Sequence, residues 1–377
     1  MAANLYYPQS ILANIADSLG LRTDAAGLIM TLTQVGYGLG VLLVVPLGDL
    51  VENKKLILIT ITVTILSEFT LGISHTAAPY FAASIVAGIG ASTVQILVPY
   101  ATHLYPPGER GRVIGSLMSG LMVGIMLSRP LASILTDMID LHAVFFVSAG
   151  LMLLLLWILS SSLPKRTPES GGMTYTRLIW SMTKLVRDQA VLRRRGIYQG
   201  LMFGAFCVFW TTVPLLLMRG FGFTQKGVAV FALVGVAGAV VAPLAGRIAD
   251  RGFSRQASLA SFGLAILSFA LSHFCPAGGW AALVLLAVTA NLLDAGVSAH
   301  LVLGQRAIFM IDPNNQSRLN GLYLATVYIG GSAGSALGAW AYLHGGWGFS
   351  TTIGLFFPLA AMILMLSEKI TGYAELY

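Results

Sequence analysis

Apolar runs of 16 to 28 residues, separated by short polar segments, follow one another along the whole 377-residue chain. They lie at about 1–16, 25–47, 56–74, 78–103, 112–136 and 141–162, then 196–219, 226–249, 257–274, 279–306, 317–342 and 347–367. The breaks carry turn residues such as Gly48-Asp49, Pro106-Pro107-Gly108, Asp312-Pro313-Asn314 and Gly345-Gly346. Crossing a bilayer core takes roughly 20 apolar residues per helix. Each span must satisfy its own backbone hydrogen bonds there, and membrane strands would alternate and be about half as long. The pattern predicts an all-α membrane protein with twelve transmembrane helices. The first run is short and abrupt, so its true start is expected upstream of Met1; the other reading is a helix lacking one half.

Polar positions set the orientation. Of the 22 Lys and Arg residues, 18 fall on one side when residues 48–55 are placed in the cytoplasm. Three (Arg22, Arg219 and Lys226) fall opposite, and Arg129 lies inside a span. Such a bias places both termini in the cytoplasm, and an inner (cytoplasmic) cell membrane is the expected location. It also accounts for the net charge of +7 without nucleic acid, for which no basic–aromatic stripe appears. Residues 163–195 form the one long loop, opening with Pro164 and Pro168 and continuing as a basic amphipathic helix near 175–190. That divides the chain into a six-helix bundle over 1–162, a linker over 163–195 lying along the membrane surface, and a second bundle over 196–377.

Composition adds an exclusion. Apolar residues are 56% and charged residues 10% of the chain, against about 25% charged in soluble domains. Cys207 and Cys275 have no ligand spacing, and neither do His103 and His300. No nucleotide loop, metal cluster or nucleophile–base pair is found, so no enzyme, metal or cofactor is predicted.

The two halves share a pattern. Pro107, Arg112 and Gly115 recur as Pro313, Arg318 and Gly321 at one offset of 206, which also carries Gly124 onto Gly330. Gly48-Asp49-Leu50 matches Ala249-Asp250-Arg251 at an offset of 201. Equivalent loops of a six-plus-six plan thus carry equivalent residues, as in transporters built from repeats.

Gly246-Arg247-Ile248-Ala249-Asp250-Arg251-Gly252 resembles the loop motif of the major facilitator superfamily. Its first-half partner, Pro46-Leu47-Gly48-Asp49-Leu50-Val51-Glu52-Asn53-Lys54-Lys55, keeps the Asp and the basic pair but lacks the leading Gly. The loop 107–112 is similar to the one between the family's fourth and fifth spans. Ala3-Asn4-Leu5-Tyr6-Tyr7-Pro8-Gln9, Leu303-Gly304-Gln305-Arg306-Ala307 and Arg318-Leu319-Asn320-Gly321-Leu322-Tyr323 resemble the arabinose-efflux-permease-like group, which includes drug and nucleoside exporters coupled to protons. The resemblance implies the major-facilitator fold of two pseudo-symmetric halves, alternating access and a monomer. Two positions depart from it. Ser84 stands where family exporters often have Arg ahead of Gly88-Ile89-Gly90, and the fifth span, where small residues and Gly-Pro are expected, has Gly120, Gly124 and then Ser128-Arg129-Pro130.

A charge at the bilayer centre costs roughly 2.5–3.5 kcal/mol on insertion scales, so intramembrane Glu68, Arg129 and Asp294 each need a reason. Asp294 shares a helical face with Asn291, Ser298 and Gln305. Desolvation favours its neutral form when a cavity closes and hydration its charged form when the cavity opens. Asp294 and Arg129 are therefore the candidates for proton coupling, against a structural carboxylate and a snorkelling arginine. Glu68 reads as a helix–helix hydrogen bond. Asn4, Tyr7, Gln34, Gln95, Tyr198, Phe206, Trp210, Asn291 and Ser298 are candidate linings of a cavity suited to a neutral or weakly charged organic molecule. Asp49, Asp250, Arg112, Arg251, Arg318 and Gly246 are candidates for a cytoplasmic gate, with a static loop staple as the plainer account. Gly36/Gly40, Gly120/Gly124 and Gly330/Gly334/Gly338 read as close-packing seams.

The expected function is proton-coupled efflux of a small organic solute such as a sugar, nucleoside or drug. The alternatives are a proton-coupled importer of a sugar or organic anion, with Arg129 as anion clamp, and a transport-inactive membrane sensor or scaffold.

Overall fold

The computed structural model describes residues 1–9, 11–20, 27–168, 172, 174–274 and 278–368. Arg22, Cys275 and Lys369, and the side chains of Arg129 and Lys226, lie outside the described residues. The first run is broken rather than continuous. Two single 3₁₀ turns, Ala2–Leu5 and Tyr7–Gln9, precede α1 (Leu12–Ser18). Pro8 accounts for the break: it has no N–H to give the preceding turn and disfavours the helical region at Tyr7.

The remaining elements follow the apolar runs. Helix α2 (Gly27–Leu39) continues through a π turn, Gly40–Val44, and a 3₁₀ turn, Val45–Asp49. Then come α3 (Asn53–Ile73), α4 (Ala77–Ala91), α5 (Thr93–His103), α6 (Arg110–Met138) and α7 (Leu141–Ser162). The linker forms α8 (Tyr175–Asp188). The second half has α9 (Ala190–Gly220), α10 (Gln225–Phe231), a 3₁₀ turn Ala232–Val236, α11 (Ala237–Asp250), α12 (Ser254–His273), α13 (Trp280–Phe309) and α14 (Gln316–Ser367). Among the described residues ten helical stretches are long and apolar enough to cross a membrane. The last of these, α14, is interrupted at Gly346, whose φ of 66° is open to glycine, so it serves as the two final spans.

Two compact units emerge. One comprises residues 1–100, 124–185 and 312–321; the other comprises 101–123, 186–311 and 322–377. Each takes in one short segment from the far end of the chain, the starts of α14 and α6 respectively. In the first unit Tyr7, Ile11, Ile15, Tyr80, Val144 and Phe145 share one core, and Val45, Ile57, Ile96 and Tyr100 share another. The second unit is centred on Met202, Phe209, Phe262, Phe269, Leu286 and Leu293. Several hydroxyl side chains inside the spans return to their own helix: Thr60, Thr64 and Ser84 each donate to the carbonyl four residues back. In α7, Leu151, Leu154 and Trp157 are exposed, as a lipid-facing surface should be. The linker helix α8 buries Leu178 and Met182 and exposes Arg177, Trp180, Lys184 and Arg187.

Glycines permit the closest helix crossings. A Cβ at Gly36 would meet the Ile85 carbonyl, one at Gly330 the Gly200 carbonyl, and one at Gly334 the Gly204 carbonyl. Gly120 and Gly124, expected in a seam, have nothing within 4 Å of a Cβ; those two positions face open space. Gly334→Ala is therefore expected to lower stability by about 1–3 kcal/mol through overpacking. Gly124→Ala, which gains helix propensity, leaves stability unchanged or raised by up to about 1 kcal/mol. Thermal unfolding of the detergent-solubilised protein compares the two.

Candidate functional site

Two carboxylates hold two helix starts. The first N–H groups of a helix have no partner within it and carry the positive end of its dipole. Asp49, at the end of the turn that closes the second span, accepts from the backbone N–H of Ser317 and of Arg318 (both 2.9 Å) and from Arg318 Nε (3.1 Å). Asp250, ending α11, accepts from the N–H of Gly111 and of Arg112 (both 3.0 Å) and from Arg306 Nε (2.8 Å). Gly111 and Arg112 correspond to Ser317 and Arg318 at the offset of 206. The internal repeat is thus expressed as one bonding scheme built twice.

Close approach makes both caps feasible. A Cβ at Gly246 would run into the Gly111 backbone and one at Gly115 into the Ala242 carbonyl; one at Gly321 would meet the Val41 carbonyl. The leading glycine missing from the first-half motif is Val45, fully buried in its own core.

The two schemes differ in partners and in burial. Arg318 and Asp49 are 7% and 3% exposed, whereas Arg306 and Asp250 are 20% and 9% exposed. Arg318 also donates to Ser181 Oγ on α8 (2.6 Å) and to Asn315 Oδ1. Asn53 ties in the loop after α7, accepting from Arg166 Nη1 (2.6 Å) and donating to the Gly48 carbonyl (2.6 Å). Of the predicted gate arginines, Arg318 supplies a guanidinium. Arg112 supplies its backbone N–H while its side chain is exposed, and Arg251 is exposed on the turn. The ion pair to Asp250 comes instead from Arg306, in the last turn of α13.

Asp294 lies in the middle of α13, 7% exposed, and accepts from Trp210 Nε1 at 2.9 Å. The turn 232–236 brings the backbone against it, since a Cβ at Gly235 would meet Asp294 Oδ2 and one at Gly238 would meet Ser298 Oγ. Trp210 continues an aromatic row on α9. Its ring centroid is 6.2 Å from that of Phe206, which stacks on Phe203 at 5.5 Å. Phe206, Trp210, Asp294 and Ser298 therefore gather in one neighbourhood, with Asn291 a turn away on α13, where it donates to the Ala287 carbonyl (2.9 Å).

Other predicted lining residues lie elsewhere. Tyr198 donates to Glu368 Oε1 (2.5 Å) within a buried cluster that includes Phe262 and His300. Gln95 donates to Tyr37 Oη (3.0 Å) and accepts at its backbone carbonyl from Asn320 (2.9 Å). Gln34 is exposed. Asn4 accepts from Ser148 (3.4 Å), and Tyr7 donates to Glu68.

Residues 1–308 match the family model described as Major Facilitator Superfamily. The chain is 32% identical over 349 residues to an uncharacterized transporter, YgaY, of Escherichia coli O157:H7, covering 92% of this chain and 86% of that one. A shorter stretch of 173 residues is 29% identical to a "Probable sugar efflux transporter" of Helicobacter pylori, covering 43% of this chain and 42% of the relative. The crystal structure of the human organic anion transporter MFSD10 superposes with a TM-score of 0.74 over 95% of this chain and 89% of that one; its 17% identity speaks for the fold alone. The molecule is a multi-pass membrane transporter rather than an enzyme. This chain belongs to the Major Facilitator Superfamily.

The unequal burial of the two caps yields a prediction. Asp49→Ala strands a buried guanidinium and two N–H groups, and should destabilise the protein by about 3–5 kcal/mol. Asp250→Ala leaves its arginine able to reach water, and should stay closer to about 1–3 kcal/mol. Thermal unfolding in detergent reads both; equal losses would show that burial does not set the difference.

Proposed function

We propose that this transporter exports a small, neutral or weakly charged organic solute in exchange for protons, with Asp294 as the proton-carrying group. The observation that carries the reading is the buried Asp294 carboxyl beside the Trp210–Phe206 aromatic row, bonded to a neutral indole N–H. An aromatic wall suits flat or ring-shaped solutes, and a carboxyl without a compensating cation among the described residues is suited to alternate between protonated and ionised forms. The relative named for sugar efflux supports the same direction and solute class. Arg129 is the second candidate for coupling.

In this scheme the transporter is a monomer in the inner membrane with both termini cytoplasmic. The two helix caps form the cytoplasmic gate, parting at Asp49 and Asp250 as access alternates. Import of a sugar or organic anion remains as an outcome of the test.

The test is proton movement in inside-out vesicles, followed with a pH-sensitive dye while pentoses, nucleosides and lipophilic cations are added. Wild type should release protons from the lumen on addition of a substrate, and Asp294→Asn should abolish this. Trp210→Phe, which removes one hydrogen bond worth about 1–3 kcal/mol, should weaken coupling without abolishing it. Coupling that survives in Asp294→Asn removes that residue from the role. Proton movement of the opposite sign identifies an importer, and binding without flux identifies a sensor.

A further inference from the structure

Glu68 is the other carboxyl buried in a span, and the scheme above does not use it. It sits on α3 with no solvent exposure. Its Oε2 accepts from the Tyr7 hydroxyl, its Oε1 has no hydrogen-bond partner, and among the described residues no ion pair reaches it. We propose that Glu68 is a proton-binding site whose proton, held together with Tyr7, fastens the N-terminal helical turns against α3.

The surroundings are apolar and tightly built. Tyr7 is 4% exposed and packs edge-on against Phe145 of α7 with centroids 5.7 Å apart; Phe145 in turn packs against Tyr80 of α4 at 6.1 Å. The N-terminal turns present Tyr7, the Asn4 side chain and the amino group of Met1, and α4 presents Tyr80. From α7 comes the Ser148 hydroxyl, which also reaches Asn4 (3.4 Å), while His142 is engaged one turn further along α3 by the Gly72 carbonyl (2.7 Å).

A carboxylate ion with one bare oxygen in such a place lacks the solvation its charge demands, whereas a neutral carboxyl leaves far less unmet. Tyr7 is the lid over it. Ionised Glu68 therefore gains water only if Tyr7 and the turns that carry it move away. Packing and protonation are therefore linked: the latch holds with the proton bound and opens as rising pH removes it. The broken first helix is the element able to respond, because its short turns are held by side chains rather than by a continuous backbone ladder. This inference needs no transport and stands apart from the role given to Asp294.

Infrared spectroscopy of the full-length protein in liposomes tests the protonation. Wild type should show a protonated-carboxyl carbonyl band that is absent in Glu68→Gln and retained in Asp294→Asn. Tyr7→Phe, which keeps the acid and removes one hydrogen bond, should move that band to higher frequency. Absence of any such band assignable to Glu68 overturns the proposal. The latch is read by maleimide labelling of Leu12→Cys in a Cys207→Ser, Cys275→Ser background, normalised to a free thiol. Labelling should rise about ten-fold or more over the pH range in which the band disappears, and should stay slow in Glu68→Gln. The same rise in Glu68→Gln, or no rise as the band disappears, refutes the latch. Tyr7→Phe, expected to label faster at every pH, keeps the test decisive if Glu68→Gln does not fold.

Discussion

A helix that begins beside another helix, rather than in open water, must have its first N–H groups met by something. Asp49 and Asp250 meet them, each with one carboxylate spread across two adjacent N–H groups and its charge placed at the positive end of a helix dipole. Much else depends on this arrangement. The backbones must come close enough for the carboxylates to reach, which is why Gly246, Gly111, Gly115 and Gly321 have no room for a side chain. The helix starts so held are drawn into the compact unit of the residue that holds them: 312–321 goes with Asp49, and 101–123 with Asp250. The exchange of segments is thus a consequence of where the caps lie.

Inside the spans a second constraint operates. Serine and threonine hydroxyls can donate to a carbonyl of their own helix, as those of Thr60, Thr64 and Ser84 do. Carboxyls cannot do this. Asp294 and Glu68 each take a hydrogen bond from an aromatic residue, Trp210 and Tyr7, on a different element. A neutral donor steadies a carboxyl in either protonation state, whereas a guanidinium at contact distance would commit it to the charged one. The carboxylates at the helix starts have arginine partners and the carboxyls within the spans have aromatic ones. That division separates carboxylates paired with a cation from carboxyls whose neutral partner favours neither protonation state.

The sequence made the first of these classes readable and only half of the second. The motif around Asp250, its partner at Asp49 and the offset of 206 single out both carboxylates, Gly246 and Arg318 from sequence alone. Arg306 was out of reach as the partner of Asp250, because Arg251 stands next to the carboxylate in sequence but on an exposed turn. Asn53 at the start of α3, Arg166 in a loop and Ser181 on the amphipathic helix are likewise polar residues with no periodic signal to set them apart. Helical spacing put Asp294 on a face with Asn291 and Ser298, and Trp210 among the aromatics of α9. It had no means to join residues 84 apart in the chain, or Tyr7 to Glu68 across 61. The break of the first helix is legible in Pro8, although the apolar run around it predicts a single short span.

The two caps are equal in design and unequal in burial, and the linker is the reason. Arg318 is buried and is held by the Ser181 hydroxyl and Asn315 as well as by Asp49. Ser181 lies on α8, which is itself fastened by buried Leu178 and Met182 and by the Tyr175 hydroxyl on the Leu43 carbonyl (3.0 Å). The ion pair of Asp49 is therefore little screened by salt and rigidly framed, whereas Arg306 and Asp250 reach solvent and are subject to it. An internal repeat would make the two ends of the scheme equivalent. One amphipathic helix, present once in the chain and placed between the halves, removes that equivalence at a single arginine.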